Sequence, residues 1–84
     1  MKHASAATLG RIPELLSELR ALPGLTEKSP GKFYRGSAAF LHFHEDPAGL
    51  FVDMKERGEW LRRAVTSKTA AAKLVRDARR LSAG

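Results

Sequence analysis

The sequence predicts an α+β domain, a two-layer sandwich in which an antiparallel meander sheet of about four or five strands carries an N-terminal and a C-terminal helix on one face. Two observations predict this fold. Apolar residues recur at every third or fourth position near each end of the chain and at every second position in the middle. Glycine, paired with proline or serine, interrupts the middle at the short intervals that are typical of tight turns.

The first helix is predicted over residues 12–22, where the apolar side chains follow the helical period. Pro13 suits the first turn of a helix, which does not need the missing N–H group, and Pro23-Gly24 is a stop signal. Residues 1–10 are mostly small and polar and show no period. We therefore expect a flexible N-terminus ahead of a single domain that spans residues 11–84.

The middle of the chain is predicted to form the strands. They are residues 25–29, 32–35, 38–44, 50–55 and 59–65. The last segment is ambiguous, because Leu61 and Val65 have helical spacing whereas Trp60 favours a strand. We interpret it as a fifth strand.

The C-terminal helix is predicted over residues 67–81, with Thr66 or Ser67 as its N-cap. Its apolar face consists of Ala71, Leu74, Val75, Ala78 and Leu81. Residues 60–84 contain seven basic residues and one acidic residue, Asp77, and so carry the whole net charge of +6. An electrostatic partner is expected to meet this end of the chain.

This basic segment supports one functional hypothesis, nucleic-acid binding through contacts to phosphates. The residues that would make these contacts are Arg62, Arg63, Lys73, Arg76, Arg79 and Arg80. The alternative is that they solvate the outer face of a terminal helix, which lacks the aromatic residues that stack on bases.

His42 and His44, together with Asp53, form the other candidate site. Strand alternation puts Phe40 and both histidines on one side of the third strand, with the imidazoles about 7 Å apart, and Asp53 lies on the partner strand. A transition metal needs three or four ligands, and the sole further histidine is His3. We therefore predict a ligand-binding face without a metal or other cofactor; two half-exposed sheet histidines are the alternative.

Nothing in the sequence indicates a catalytic site. It shows no nucleophile elbow, no glycine run for an oxyanion hole and no paired buried carboxylates, and 84 residues leave little room for a closed pocket. The sequence thus favours a binding protein over an enzyme. Trp60 is expected to fill the gap between the sheet and a helix, with an interface contact as the alternative.

Composition limits the compartment and the partners. The chain contains no cysteine, which excludes a disulfide framework and a thiolate metal site. It contains neither a signal-peptide pattern nor the run of about 20 apolar residues that crosses a bilayer. We expect a soluble, cytoplasmic protein without a membrane partner. Self-association through an unpaired sheet edge is a further expectation.

Several segments together resemble small bacterial proteins that carry a luciferase-type domain. They are residues 22–26 (LPGLT), 33–36 (FYRG), 40–44 (FLHFH) and 49–53 (GLFVD), within a similarity that covers roughly residues 12–81. That domain is named after the fungal luciferases, and most bacterial members have no assigned activity. A weaker similarity in layout is to YjbR-like proteins, which have a helix-flanked antiparallel sheet and for which DNA binding has been suggested.

The pattern departs from the luciferase-type family after Lys55. There the family has a longer segment that leads to Ser-Gly-Trp before its last strand, whereas Gly58-Glu59-Trp60 stands in that place here with most of the insert absent. The resemblance implies the fold and the strand with His42 and His44. It does not imply oxygenase activity.

The sequence therefore predicts a small non-catalytic domain that binds a small ligand or a protein partner over the sheet face around His42, His44 and Asp53. The alternative is a nucleic-acid-binding accessory protein that uses the basic C-terminal helix. An enzyme of the luciferase-type family is the least favoured hypothesis.

Overall fold

Six strands and three helices form along residues 2–83, the part of the chain that the computed structural model describes. In chain order they are β1 (Lys2–His3), α1 (Ala6–Leu9), α2 (Pro13–Arg20), β2 (Leu25–Ser29), β3 (Lys32–Arg35), β4 (Ala38–Asp46), β5 (Gly49–Glu56), β6 (Glu59–Ala64) and α3 (Lys68–Ala83). The sheet is antiparallel in the order β2-β3-β4-β5-β6, and β1 pairs with the end of β4. The predicted meander with a helix from each end of the chain is confirmed.

The core lies between the sheet and the helices. Its largest members on the sheet are at most 1% exposed; they are Phe33, Leu41, Phe43, Val52 and Met54. They form one cluster with Leu19 of α2 and Leu74 of α3, both fully buried. Because successive side chains of a strand point to opposite faces, the residues between these positions lie on the face that points away from the helices.

The pairing of β3 with β4 contains a β-bulge. Phe33 lies opposite Leu41 and Tyr34 lies opposite Ala39, which leaves Phe40 as an extra residue in β4. Phe40 is buried in the core, so the prediction that it lies beside His42 and His44 is wrong. The reason is physical: an inserted residue breaks the strict alternation on which the prediction depended.

Residues 59–64 form a strand, which settles the one ambiguous segment. Every residue of β6 pairs with β5, from Glu59 opposite Glu56 to Ala64 opposite Phe51. The two strands are joined by Arg57 and Gly58, with φ values of 55° and 83°. Two consecutive positive φ values are typical of the type I′ turn, whose twist matches that of a hairpin.

The N-terminal segment contains two short elements where the sequence predicted no regular structure. The Ser5 hydroxyl caps α1 by accepting a hydrogen bond from the Thr8 amide at 3.2 Å, and Leu9 is buried in the core. The Ala4 amide donates to the carbonyl of Phe43 at 3.1 Å. These elements depend on contacts with residues far along the chain, which local periodicity does not reveal. Flexibility of residues 1–10 in solution stays a prediction, and Met1 and Gly84 lie outside the described residues.

The C-terminal helix forms as predicted and is two residues longer than expected at its end. The hydroxyl of Ser67 accepts a hydrogen bond from the Ala70 amide at 3.0 Å, so Ser67 is the N-cap. Leu74, Val75 and Ala78 are buried against the sheet and α2, and the basic side chains lie outward.

Candidate functional site

The face of the sheet that points away from the helices carries aromatic rings and charged groups. We call it the open face; its side chains are His3, Thr26, Lys28, Lys32, Tyr34, Ala39, His42, His44, Asp46, Phe51, Asp53, Lys55, Trp60, Arg62 and Ala64. None of these residues is buried, whereas the alternate positions of the central strands are almost fully buried. The sequence-predicted residues His42, His44 and Asp53 all lie on this face.

Three histidines cluster at the centre of the open face. His3 lies opposite His44 in the β1–β4 pairing, and their rings stack with centroids 4.8 Å apart and planes inclined by 27°. The centroid of His42 is 6.1 Å from that of His3 and 6.2 Å from that of His44. Sequence reasoning did not include His3 in the site, because nothing local indicates that the first residues pair with β4.

Asp53 is held from two sides. It lies opposite His42 and Arg62 in the strand register, and one carboxylate oxygen is 3.3 Å from Nε2 of His44. Arg62 donates two hydrogen bonds to it, from Nε to Oδ1 at 2.7 Å and from Nη2 to Oδ2 at 2.8 Å. These hydrogen bonds hold the pKa of Asp53 below its usual value. Asp53 is therefore a fixed anion at neutral pH and a weak base.

The surroundings of His42 and His44 lower the pKa of both imidazoles and so favour their neutral form. Burial lowers the pKa of His42, and the positive charges of His44, His3 and Lys32 lower it further against the opposing effect of Asp53. Burial also lowers the pKa of His44, and the carboxylate of Asp53 opposes this shift without reversing it. Near neutral pH, His42 and His44 thus present uncharged imidazole rings.

Trp60 extends the ring cluster toward the β6 edge of the sheet. Its ring lies 4.9 Å from that of His42 with planes inclined by 33°, and Nζ of Lys55 lies 5.4 Å from its centroid. The side chain is 42% exposed, so the prediction that it fills the gap between sheet and helix is wrong. The β5–β6 register places Trp60 opposite Lys55, on the face away from the helices.

A second ring and cation lie toward the opposite edge of the same face. Nζ of Lys28 in β2 lies 4.7 Å from the ring centroid of Tyr34 in β3. Lys32 lies opposite His42 in the β3–β4 pairing, between the two ring groups. The open face therefore alternates rings with cations from one edge of the sheet to the other.

The predicted basic set is divided by the sheet. Arg62 lies on the open face, whereas Arg63 donates to Asp77 of α3 at 2.9 Å. The same carboxylate lies 3.7 Å from both Arg76 and Arg80. Lys73 and Arg79 are exposed on α3. Five of the six predicted residues therefore have their side chains on the helical side of the sheet. There Asp77 is shared among Arg63, Arg76 and Arg80.

The histidine cluster does not have the geometry of a metal centre. Rings that stack face to face do not direct their nitrogen atoms toward one point, as metal ligands must. Within residues 2–83, no group of three or more histidine, aspartate or glutamate side chains is arranged to hold a metal ion.

The open face is shallow, and most of the clefts lie on the helical layer. Five clefts of about 290 to 730 Å³ are lined by residues other than His42 and His44. One of about 310 Å³ lies between α3 and the end of the sheet where the β5–β6 turn lies, and it reaches the open face at Lys55. Its lining consists of Arg35, Ala38, Ala39, Phe40, Lys55, Arg57 and Leu81. We call it the arginine cleft.

Comparisons with protein families, curated proteins and solved structures found no match to this chain. The similarity to luciferase-type and YjbR-like proteins therefore stays a prediction. Among residues 2–83, no helix combines the length and the apolar character that a membrane crossing requires.

Proposed function

We propose that this protein is a non-catalytic binding domain that holds its partner across the open face, around His42, His44 and Asp53. The observation that carries the proposal is a sheet face left uncovered by the helices, on which exposed and half-buried rings alternate with cations. Exposed aromatic and cationic side chains grouped on one surface are typical of binding sites.

The shape of this surface favours an extended partner over a small enclosed ligand. Small-molecule sites usually bury most of their ligand in a concave pocket, whereas His42 and His44 line none of the five clefts described above. The state of Asp53 supports binding over catalysis, because a carboxylate with a lowered pKa, engaged by Arg62, is a poor general base.

Nucleic-acid binding through the helical layer is the second candidate. The observation in its favour is the set of exposed cations on α3, namely Lys68, Lys73, Arg76, Arg79 and Arg80, beside the single acidic residue of that helix, Asp77. Such a surface attracts phosphates without reading bases.

Trp60 provides the test, because it is the single tryptophan of the chain and lies on the open face. Its fluorescence would be followed during titration with three probes: adenosine monophosphate, poly-glutamate and a single-stranded oligonucleotide. We expect at least one probe to change the emission, and the His42→Ala variant to weaken the change.

The matched control is the double variant Arg76→Gln/Arg79→Gln, which removes two exposed charges from α3 and none from the open face. A response that persists in this variant supports the open face. A response lost in it but retained in His42→Ala would favour the second candidate, and no response to any probe would contradict binding at the open face.

A further inference from the structure

We infer that the partner of the open face is single-stranded nucleic acid, with a base stacked on Trp60 and His42 and its phosphates in the adjoining arginine cleft. This inference rests on the proposed binding function and names the class of partner. It is carried by three features: an exposed ring platform, a cationic cleft beside it and a lysine that belongs to both.

The platform consists of the exposed Trp60 ring and the His42 ring beside it. The two ring centroids are 4.9 Å apart and the planes are inclined by 33°, so the rings pack partly face to face, and Trp60, which is 42% exposed, offers the accessible ring of the pair. Burial and the surrounding cations keep His42 toward its neutral form. Unpaired bases stack on such rings on sheet faces, with a contribution of about 1–3 kcal/mol per base.

The arginine cleft supplies the complementary charge. Three of its lining residues are cations, Arg35, Lys55 and Arg57, and the described residues that line it include no carboxylate. Lys55 joins the two features, since its ammonium group lies 5.4 Å from the Trp60 centroid while the residue also lines the cleft. A ligand that contacts both therefore needs a planar ring next to an anionic group, as a nucleotide has.

The backbone conformation of Arg57 is a second indication, besides the cationic lining, that the arginine cleft binds an anion. Arg57 is the sole non-glycine residue with positive φ within residues 2–83. The first central position of a type I′ turn prefers glycine, asparagine or aspartate, and arginine there costs conformational energy. A strained residue at the rim of a cationic cleft is consistent with a guanidinium group retained for contact with an anion.

The span of the face favours a strand of several nucleotides. Trp60 in β6 and Tyr34 in β3 are three strand spacings apart in the sheet, or about 14 Å. A stacked strand rises about 3.4 Å per nucleotide, so one nucleotide cannot reach both rings. Lys32 lies between them and Lys28 lies over Tyr34, which places cations along the path.

An unpaired strand fits this surface better than a duplex does. Bases inside a duplex are already stacked on one another and do not offer their faces to protein rings. The carboxylates of Asp53 and Asp46 would repel phosphates, but Arg62 donates two hydrogen bonds to Asp53 and its positive charge also faces Asp46. The rings are therefore available to stack on the bases, and the lysines are available to contact the phosphates of the backbone.

The test is fluorescence anisotropy with labelled oligonucleotides of about 12 nucleotides, a length within the range that single-strand binding domains cover. The probes are oligothymidine DNA, oligouridine RNA and a DNA duplex of equal length. We expect the single strands to bind more tightly than the duplex. Trp60→Leu is expected to weaken single-strand binding about tenfold, because it removes one stacked base.

Two cleft variants separate binding from folding. Lys55→Gln is expected to reduce the slope of log affinity against log salt by about 0.7, the value for one phosphate contact of a single strand. Arg57→Gly is expected to weaken binding although glycine relieves the strained turn and so does not unfold the domain. The control Arg79→Gln, on the exposed side of α3, is expected to leave affinity within about twofold.

The remaining outcomes separate this inference from the proposed function. Tighter binding of the duplex, or a loss confined to Arg79→Gln, would overturn the inference. If the oligonucleotides do not bind while poly-glutamate or adenosine monophosphate changes the Trp60 emission, the class of partner is wrong and the open face is still a binding surface. If no probe changes the emission, both are wrong.

Discussion

The two faces of the sheet are built from the same strands and differ in what holds their side chains. On the covered face, Phe33, Phe43 and Val52 pack against the helices and are almost fully buried. On the open face, His44 and Arg62 are held by one carboxylate, Asp53, and stay in contact with water. Folding depends on the first set through the hydrophobic effect, whereas the second set is expected to contribute little to stability. The proposed binding function depends on this difference between the two faces.

Paired truncations on β4 should show the largest difference between the faces. Phe43→Ala removes a buried ring and is expected to cost about 3–5 kcal/mol of the free energy of unfolding. His42→Ala, one residue away on the open face, is expected to cost less than about 1 kcal/mol. Urea denaturation followed by circular dichroism measures both values. Equal losses would mean that the open face is as essential to folding as the core.

Asp53→Asn tests whether one carboxylate organises the open face. Loss of the ion pairs is expected to cost about 1 kcal/mol, since Arg62 is half exposed. The variant should also lower the pKa of His44 further, because the carboxylate of Asp53 raises it in the native protein. Histidine NMR titration measures this shift.

The matched control is Asp77→Asn, which removes a carboxylate from the helical layer instead. The pKa of His44 should not respond to this change. A shift of similar size in both variants would show that the charges of the two faces are not independent.

Arg57→Gly tests the turn at the border between the two regions. The left-handed conformation costs an ordinary residue roughly 1–2 kcal/mol, and a glycine at this position removes that cost. Because glycine has more conformational freedom in the unfolded chain, about half of this stabilisation is lost again. We therefore expect a stabilisation of about 0.5 kcal/mol, measured by thermal denaturation. Destabilisation would mean that the Arg57 side chain makes contacts that support the fold.

Acidification should have the smallest effect and opposite signs on folding and binding. The pKa values of His42 and His44 are lowered in the folded protein, so the unfolded chain binds protons more readily and stability falls as the pH drops through the ordinary histidine range. The charged groups that face them are His3, Lys32, Asp53 and Arg62.

Phosphates favour protonated imidazoles, so oligonucleotide affinity should rise as the pH falls from about 7.5 to about 5.5. Thermal denaturation and anisotropy at each pH measure the two effects, and His44→Gln should reduce both. Affinity that falls together with stability would contradict a path of the strand across the histidines.

Most of the fold follows from the spacing of apolar residues. The alternation from Lys32 to Lys55 predicts the meander, and the helical period around Leu19 and Leu74 predicts the two longer helices. The sequence could not reveal the bulge at Phe40, because an inserted residue leaves no local signal. Nor could it reveal α1, which is ordered by the burial of Leu9 and by the hydrogen bond from the Ala4 amide, just before the helix, to the distant carbonyl of Phe43.

The candidate site was predictable where it depends on one strand pair. Alternation along β4 and the neighbouring strand predicts that His42, His44 and Asp53 share a face, and they do. To predict that His3 joins the site, one must know that β1 pairs with β4, and to predict that Trp60 is exposed, one must know the register of β6. Both are long-range properties of the sheet, which short sequence patterns do not determine.

The most direct test of the open face is to map where an oligonucleotide binds. Two-dimensional NMR of the ¹⁵N-labelled protein with oligothymidine should shift the Trp60 indole signal and the amides of His42 and Asp53, and leave those of Lys73 and Arg76 in place. Shifts confined to α3, with the Trp60 indole unmoved, would contradict the account.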